Sequence, residues 1–185
     1  MIKELTKQTS DRMDKSIKAL SNEFATVRTG RASTSLLDKL TVDYYGVQTP
    51  LLQIASVSVP EPQLLVIQPY DKSAMTNIEK AIQASDLGLT PNSDGTVIRL
   101  PFPPLTEERR KELVKVCKHY AEEARVGVRN IRREANDKLK HAERDHEISQ
   151  DDMHRTEDEI QKLTDSHTGK IDEALERKEA EIMEV

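Results

Sequence analysis

The chain has 185 residues, of which 33% are charged and only 3% are aromatic, and its formal net charge is −5. This length fits a single domain, or one domain that carries a smaller one inserted into it. No stretch approaches the roughly 18 to 20 apolar residues of a membrane span, and the single cysteine, Cys117, excludes an internal disulfide. We therefore expect a soluble, unexported protein of the cytoplasm.

The first segment has the apolar pattern of a long helix, with steps of three or four residues. The pattern is formed by Ile2, Leu5, Thr9, Met13, Ile17, Leu20, Phe24 and Val27. Gly30 ends the pattern. The sequence therefore predicts a helix of about 26 residues that extends to Val27.

From Arg31 to Pro104 the pattern changes to short strand-like runs separated by turn residues. Leu40, Val42 and Tyr44 alternate with polar residues, and QLLVIQP at 63–69 is a short apolar run. One helix is predicted over SAMTNIEKAIQASDLG at 73–88, with Gly88 ending it. We expect a small mixed α/β unit over 31–104.

A second long helix is predicted after PFPP at 101–104 and Thr106, which can cap it. Its helical period continues to about residue 146, nearly forty residues in all. Its apolar positions are Leu113, Cys117, Tyr120, Ala124, Val128, Ile131, Ala135, Leu139 and Ala142.

The last helix has a clear start signal. Ser149 is placed as its N-cap, Asp152 lies at the capping-box position, and Ile148 and Met153 are spaced as a hydrophobic staple. Its apolar stripe, which continues to the C-terminus, consists of Met153, Ile160, Leu163, Ile171, Leu175 and Ile182.

Three long helices with narrow apolar stripes can bury those stripes only against one another. We therefore predict an α+β protein in which residues 1–30 and 105–185 form an elongated three-helix bundle, and residues 31–104 form an inserted domain. The two connections carry Gly30 and Arg31 on one side and Pro103 and Pro104 on the other. This composition suggests a hinge.

RVGVRNIRREAND at 125–137 collects basic residues on one face of the second long helix. Arg125, Arg129, Arg132 and Arg133 fall within about 100° of one another on a helical wheel. Charge is segregated along the chain, because residues 107–140 carry 11 Lys/Arg against 7 Asp/Glu (+4), whereas residues 147–185 carry 5 against 13 (−8). Arg28 and Arg31 form a second basic site in VRTGRA.

Two interpretations of the arginines stay open at this point. They can pair with acidic residues of their own helix or of the acidic last helix, as exposed charges commonly do. Alternatively, they can face phosphates, which match the planar fork of a guanidinium. On the second interpretation, the small number of aromatic residues favours contact with the backbone of folded RNA or of a duplex over base stacking.

No sequence motif supports catalysis. Phosphate-binding loops, nucleophile elbows and paired metal-ligand motifs are all missing, so we predict no catalytic residue, no metal site and no cofactor. Cys117 lies on the apolar side of its helix and is assigned to the core. A helical scaffold or coiled-coil adaptor explains the three helices equally well, but it does not explain the arginine face.

The chain resembles ribosome recycling factors nearly from end to end. The resemblance is carried by VRTGRAS, YYG, PPLTEERR, RNIRREAND and QKLTDSHTGKIDEAL. It implies an L-shaped protein, with a three-helix-bundle arm and a small inserted β/α/β domain. A missing transit segment points to a bacterial form, with a mature organellar chain as the alternative.

The resemblance also implies a function without catalysis by the chain itself. After termination, such a factor binds large-subunit ribosomal RNA and, with elongation factor G and GTP, splits the ribosome into subunits. By resemblance, Arg28, Arg31, Arg129 and Arg132 face ribosomal RNA. The helical wheel adds Arg133 and Arg125. We expect a monomer that does not bind membranes.

Overall fold

The computed structural model describes residues 1–184 of the chain. It divides into two compact units: Met1–Thr29 with the chain from Glu107 onward, and Gly30–Thr106. The five α-helices are α1 (Ile2–Ala25), α2 (Leu51–Ile54), α3 (Met75–Ala84), α4 (Glu107–Arg144) and α5 (Gln150–Met183). The six strands are β1 (Thr41–Tyr44), β2 (Val47–Pro50), β3 (Ala55–Glu61), β4 (Leu64–Pro69), β5 (Asn92–Ser93) and β6 (Ile98–Pro101).

The first unit is a bundle of α1, α4 and α5, each of which packs against the other two. Leu5, Leu139 and Ile160 contribute one buried residue from each helix to a shared apolar cluster. The predicted three-helix bundle is therefore confirmed. None of the helices within residues 1–184 is long and apolar enough to cross a membrane.

The helix ends differ in detail from the sequence prediction. α1 ends at Ala25 rather than Val27, because the amides of Thr26 and Val27 bond to carbonyls only three residues back and tighten the last turn. Val27 still buries its side chain. α5 begins as predicted, with the Ser149 hydroxyl accepting the Asp152 N–H at 3.0 Å.

The seam of the bundle is more polar than the apolar stripes predicted. Thr156, Thr164 and His167, which no predicted stripe included, are buried in it together with the predicted Thr9, whereas Leu163 and Leu175 are only half-buried. The threonine hydroxyls donate to carbonyls four residues earlier in their own helices. The imidazole of His167 lies between the Leu163 carbonyl at 2.6 Å and the Asp14 carboxylate of α1 at 2.7 Å.

The second unit contains only antiparallel strand pairs. β1 and β2 form a hairpin, and the larger sheet has the order β3-β4-β6-β5. α3 packs against β1. The core draws apolar residues from the larger sheet and from α3: Leu65, Ile67, Ile98, Leu100, Ile78 and Ile82.

The helix predicted over 73–88 is shorter in the structure, and its expected end is wrong. α3 stops at Ala84, because Ser85 is extended (ψ 165°) and its hydroxyl donates to the Ile82 carbonyl at 2.5 Å. Gly88, with φ +67°, lies four residues further on and does not end the helix.

Candidate nucleic-acid interface

The predicted arginines Arg125, Arg129, Arg132 and Arg133, here called the arginine row, lie on α4, a continuous helix of 38 residues. Val128, Ile131 and Ala135 are buried toward the bundle. On the other side, Arg125, Arg129 and Arg132 are half-buried and Arg133 is exposed. The lysines that extend this face, Lys111, Lys115, Lys118 and Lys140, are all exposed. Because regular helix geometry persists throughout, these residues share one basic face, which Glu122 interrupts.

Arg125 forms an ion pair with α5. Its Nη2 and Nε donate to Asp172 Oδ1 at 2.6 and 3.0 Å, and its Nη1 donates to Glu122 at 3.2 Å. The side chain is only 21% exposed. The hydrogen bonds to Asp172 raise the pKa of Arg125 above its ordinary value. The sequence left open whether the arginines pair with acidic residues of the last helix. At Arg125 such a cross-helix ion pair is present, and it compensates the charge of the arginine.

Arg129 and Arg132 have weaker partners. Arg129 Nη1 lies 3.6 Å from Glu122, which also binds Arg125, and 44% of the Arg129 side chain is exposed. Arg132 Nη1 donates at 3.3 Å to Gln161 Oε1, a neutral group. Both guanidinium groups therefore keep donors for a further acceptor.

Arg133 is the most available arginine of the row. It is exposed, and within residues 1–184 no carboxylate forms a salt bridge with it. The four arginines thus range from Arg125, compensated by Asp172 and Glu122, to Arg133, which carries its charge into solvent.

The second predicted basic site is divided between the two units. Arg28 belongs to the bundle unit and Arg31 to the inserted unit, and both are exposed. Between them, Gly30 adopts φ +79°, and a Cβ added to it would lie 3.2 Å from Leu105 Cγ. The positive φ therefore favours glycine here, and a larger residue would also press on the Leu105 side chain.

Both ends of the inserted unit form backbone hydrogen bonds to the turn between β3 and β4. The Ala32 N–H donates to the Pro62 carbonyl, and the Phe102 N–H donates to the Gln63 carbonyl, both at 2.7 Å. The residues predicted to form a hinge, Gly30, Arg31, Pro103 and Pro104, all lie outside these two anchors in the chain. Pro103 and Pro104 are exposed.

Cys117 is fully buried in the bundle. Burial raises the pKa of its thiol, which disfavours the reactive thiolate. Among residues 1–184, no group of three or more histidine, cysteine or acidic residues is placed to hold a metal ion.

The sequence did not identify the residues of α5 that face the arginine row. Asp172 and Gln161 are distant in sequence from Arg125 and Arg132, and their pairing depends on how α5 is aligned along α4. The His167–Asp14 contact was missed for the same reason. Only Glu122, three residues from Arg125, could have been found from local spacing.

The fold defines a helical-bundle protein with a small second unit, and its α4 carries a row of arginines. The model of the family "Ribosome recycling factor" matches residues 20–183. The chain is 60% identical to the ribosome-recycling factor of Geobacillus thermodenitrificans and 58% identical to that of Bacillus subtilis, over the full length of each. The chain belongs to the ribosome recycling factor family.

Solved structures agree with this assignment. A solution structure of a ribosome recycling factor matches with a TM-score of 0.79 and 44% identity, covering 100% of this chain and 98% of the other. A second match has a TM-score of 0.64, 50% identity and 99% coverage of both chains. It comes from models of the T. thermophilus ribosome recycling factor and the E. coli elongation factor G bound to the E. coli post-termination complex.

Proposed function

We propose that this chain recycles ribosomes after termination: it binds ribosomal RNA of the large subunit and, with elongation factor G and GTP, splits the ribosome into subunits. Splitting releases the ribosome from messenger RNA. Full-length identity of about 60% to named recycling factors supports this assignment. The related factor described with elongation factor G on the post-termination complex supports the choice of partners. The place of action is then the cytoplasm, where bacterial ribosomes work.

The basic face of α4 is the observation that carries the RNA contact. Arg129, Arg132 and Arg133 present donors that are not fully used within the chain, and a guanidinium matches two phosphate oxygens at once. We assign Arg28 and Arg31 to the same task. Arg125 contributes less to RNA binding than its neighbours, because Asp172 and Glu122 already compensate its charge.

The chain acts mechanically and leaves GTP hydrolysis to its partner. The bundle supplies a stiff arm, and the two connections outside the Ala32 and Phe102 anchors allow the inserted unit to move. Spin labels placed on the two units should report a broad distribution of distances in the free protein. A single narrow distance that persists during splitting would contradict a hinge.

Splitting can be measured by light scattering of post-termination ribosomes mixed with elongation factor G and GTP. The wild-type chain should cause the scattering to drop, and Arg129→Ala/Arg132→Ala should cause little drop. A matched control is Arg109→Ala/Arg155→Ala, which removes two exposed arginines that already pair with Glu112 and Asp152. This control should split ribosomes like the wild type.

Circular dichroism should verify that both variants are folded. If Arg129→Ala/Arg132→Ala splits ribosomes as well as the control does, the arginine row is not the RNA contact. If the wild type itself gives no drop while another recycling factor does, the proposed function is wrong, and a helical adaptor becomes the better explanation.

A further inference from the structure

The side of α5 that faces the arginine row carries two different kinds of partner. Arg125 meets a carboxylate, that of Asp172. Two helical turns further along α4, Arg132 meets the amide of Gln161. Arginines of the same row therefore receive a charged partner at one position and a neutral partner at the other.

The amide of Gln161 is engaged at both ends. Its Oε1 accepts from Arg132 Nη1 at 3.3 Å, and its Nε2 donates to Asp165 Oδ1 at 2.9 Å. Only this orientation of the amide is chemically sensible, because a guanidinium can only donate and a carboxylate can only accept. Asp165 and Gln161 are one helical turn apart, so the bond between them also fixes the glutamine side chain.

This arrangement orients Arg132 without cancelling its charge. A carboxylate at position 161 would compensate the guanidinium, as Asp172 compensates Arg125. The amide instead holds one Nη1 donor and leaves the remaining N–H groups for an outside acceptor. Its bond to Asp165 engages one oxygen of that carboxylate.

We infer that Gln161 is a positioning residue for RNA binding, which holds Arg132 in place and leaves its positive charge uncompensated toward a phosphate. This role rests on the proposed function. On this inference α5, the acidic helix, also takes part in RNA binding. Its residue 161 is neutral, and an acidic residue at this position would weaken the RNA contact.

The test uses the full-length protein, labelled at its N-terminus, and purified bacterial large ribosomal subunits. Binding is measured by fluorescence anisotropy over a series of salt concentrations for the wild type, Gln161→Glu, Arg132→Ala and the double variant. Ser166→Glu is the control, because it adds the same charge to an exposed position about 140° away from Gln161 around α5. Circular dichroism checks that each variant is folded.

Loss of one phosphate contact lowers the slope of log affinity against log salt by roughly 0.7 to 0.9. We expect Gln161→Glu to lower the slope by about that amount and the affinity by roughly three- to tenfold, like Arg132→Ala. Ser166→Glu should change the slope little. In the Arg132→Ala background, Gln161→Glu should have no further effect, because the guanidinium that the new carboxylate would compensate is absent.

Two results would overturn the inference while leaving the proposed function intact. One is a Gln161→Glu slope equal to that of Ser166→Glu when Arg132→Ala does lower the slope. The other is an undiminished effect of Gln161→Glu in the Arg132→Ala background. An unchanged slope for Arg132→Ala itself would instead remove Arg132 from the RNA contact, and the role of Gln161 would fall with it.

Discussion

Arg125 and Arg133 lie in the same row of α4 but have opposite surroundings. Arg125 is 21% exposed and bonded to Asp172 and Glu122, whereas Arg133 is exposed and has no salt bridge within the described chain. An arginine that pairs inside the bundle contributes mainly to folding. An arginine that points into solvent contributes mainly to binding.

Arg125→Ala should therefore lower the free energy of unfolding by about 1 kcal/mol, because it leaves Asp172 without its partner. Arg133→Ala should change it by less than about 0.5 kcal/mol. Urea unfolding followed by circular dichroism measures both values. The salt dependence of ribosome binding should show the reverse order, with the larger change for Arg133→Ala. The same order in both measurements would contradict this division of roles.

The helical wheel predicted that these arginines share a face, because α4 is regular along its whole length. It could not predict which of them are compensated. That depends on the alignment of α5 along α4, which places Asp172 at Arg125 and Gln161 at Arg132. This alignment depends on the packing of the bundle seam, where Thr156, Thr164 and His167 are buried although the predicted stripe did not include them.

Among the elements, the long helices were predictable, as were the strands β1 and β4, which coincide with predicted runs, whereas β2 was not predicted. A periodic pattern over 38 residues, as in α4, repeats the same signal many times. β2 has four residues, none of them fully buried, so it lacks the alternation of buried and exposed side chains by which a strand is predicted. The end of α3 was misplaced because Ser85, rather than Gly88, ends the helix by bonding to the Ile82 carbonyl.

The turn between α4 and α5 retains a residue that is not ideal for its conformation. The His146 N–H bonds to the Glu143 carbonyl, and the Glu147 N–H bonds to the Ala142 carbonyl, which is the Schellman pattern of a helix end. His146 occupies the left-handed position with φ +59°, where glycine is usual.

His146→Gly should raise the free energy of unfolding by about 1 kcal/mol, because it removes the strain of a Cβ in the left-handed region. The same substitution at exposed His141, inside α4, should lower it by roughly half a kcal/mol. Thermal unfolding of both variants tests this pair. If His146→Gly were destabilising, the imidazole would be making contacts that outweigh the strain.

The turn between β5 and β6 is predicted to depend on pH through Asp94. Its carboxylate accepts the N–H groups of Val97 and Thr96 at 2.9 Å and a bond from Arg99 at 2.8 Å. These bonds, led by those to the two amides, lower the pKa of Asp94 to about 2. Because the folded pKa is depressed, its contribution to stability is present above the ordinary aspartate pKa of about 4 and is lost as pH falls toward 2.

An NMR titration should therefore show the amide signals of Thr96 and Val97 moving with a midpoint near 2. In Asp94→Asn these signals should no longer follow an acid titration in that range. A midpoint close to 4 in the wild type would mean that the carboxylate is not held by the turn.

At the scale of the whole molecule, the charge is divided between two helices. The acidic excess of residues 147–185 (5 Lys/Arg against 13 Asp/Glu, −8) faces solvent partly through Asp158, Glu159 and Glu176, which are exposed. A basic face on α4 alone would bind any RNA backbone. The acidic surface of α5 repels polyanions, so it should reduce general RNA binding.

Neutralising this acidic surface should therefore increase binding to unrelated RNA. Asp158→Asn/Glu159→Gln/Glu176→Gln changes the formal net charge from −5 to −2 (−5 + 3). We expect tighter binding to a duplex RNA of arbitrary sequence, with a gain that shrinks as salt screens the charges. The matched control, Asp158→Glu/Glu159→Asp/Glu176→Asp, keeps every charge and should bind duplex RNA like the wild type. Fluorescence anisotropy at low and physiological salt compares the three proteins, and equal affinities would mean that the acidic helix has no part in selecting the RNA.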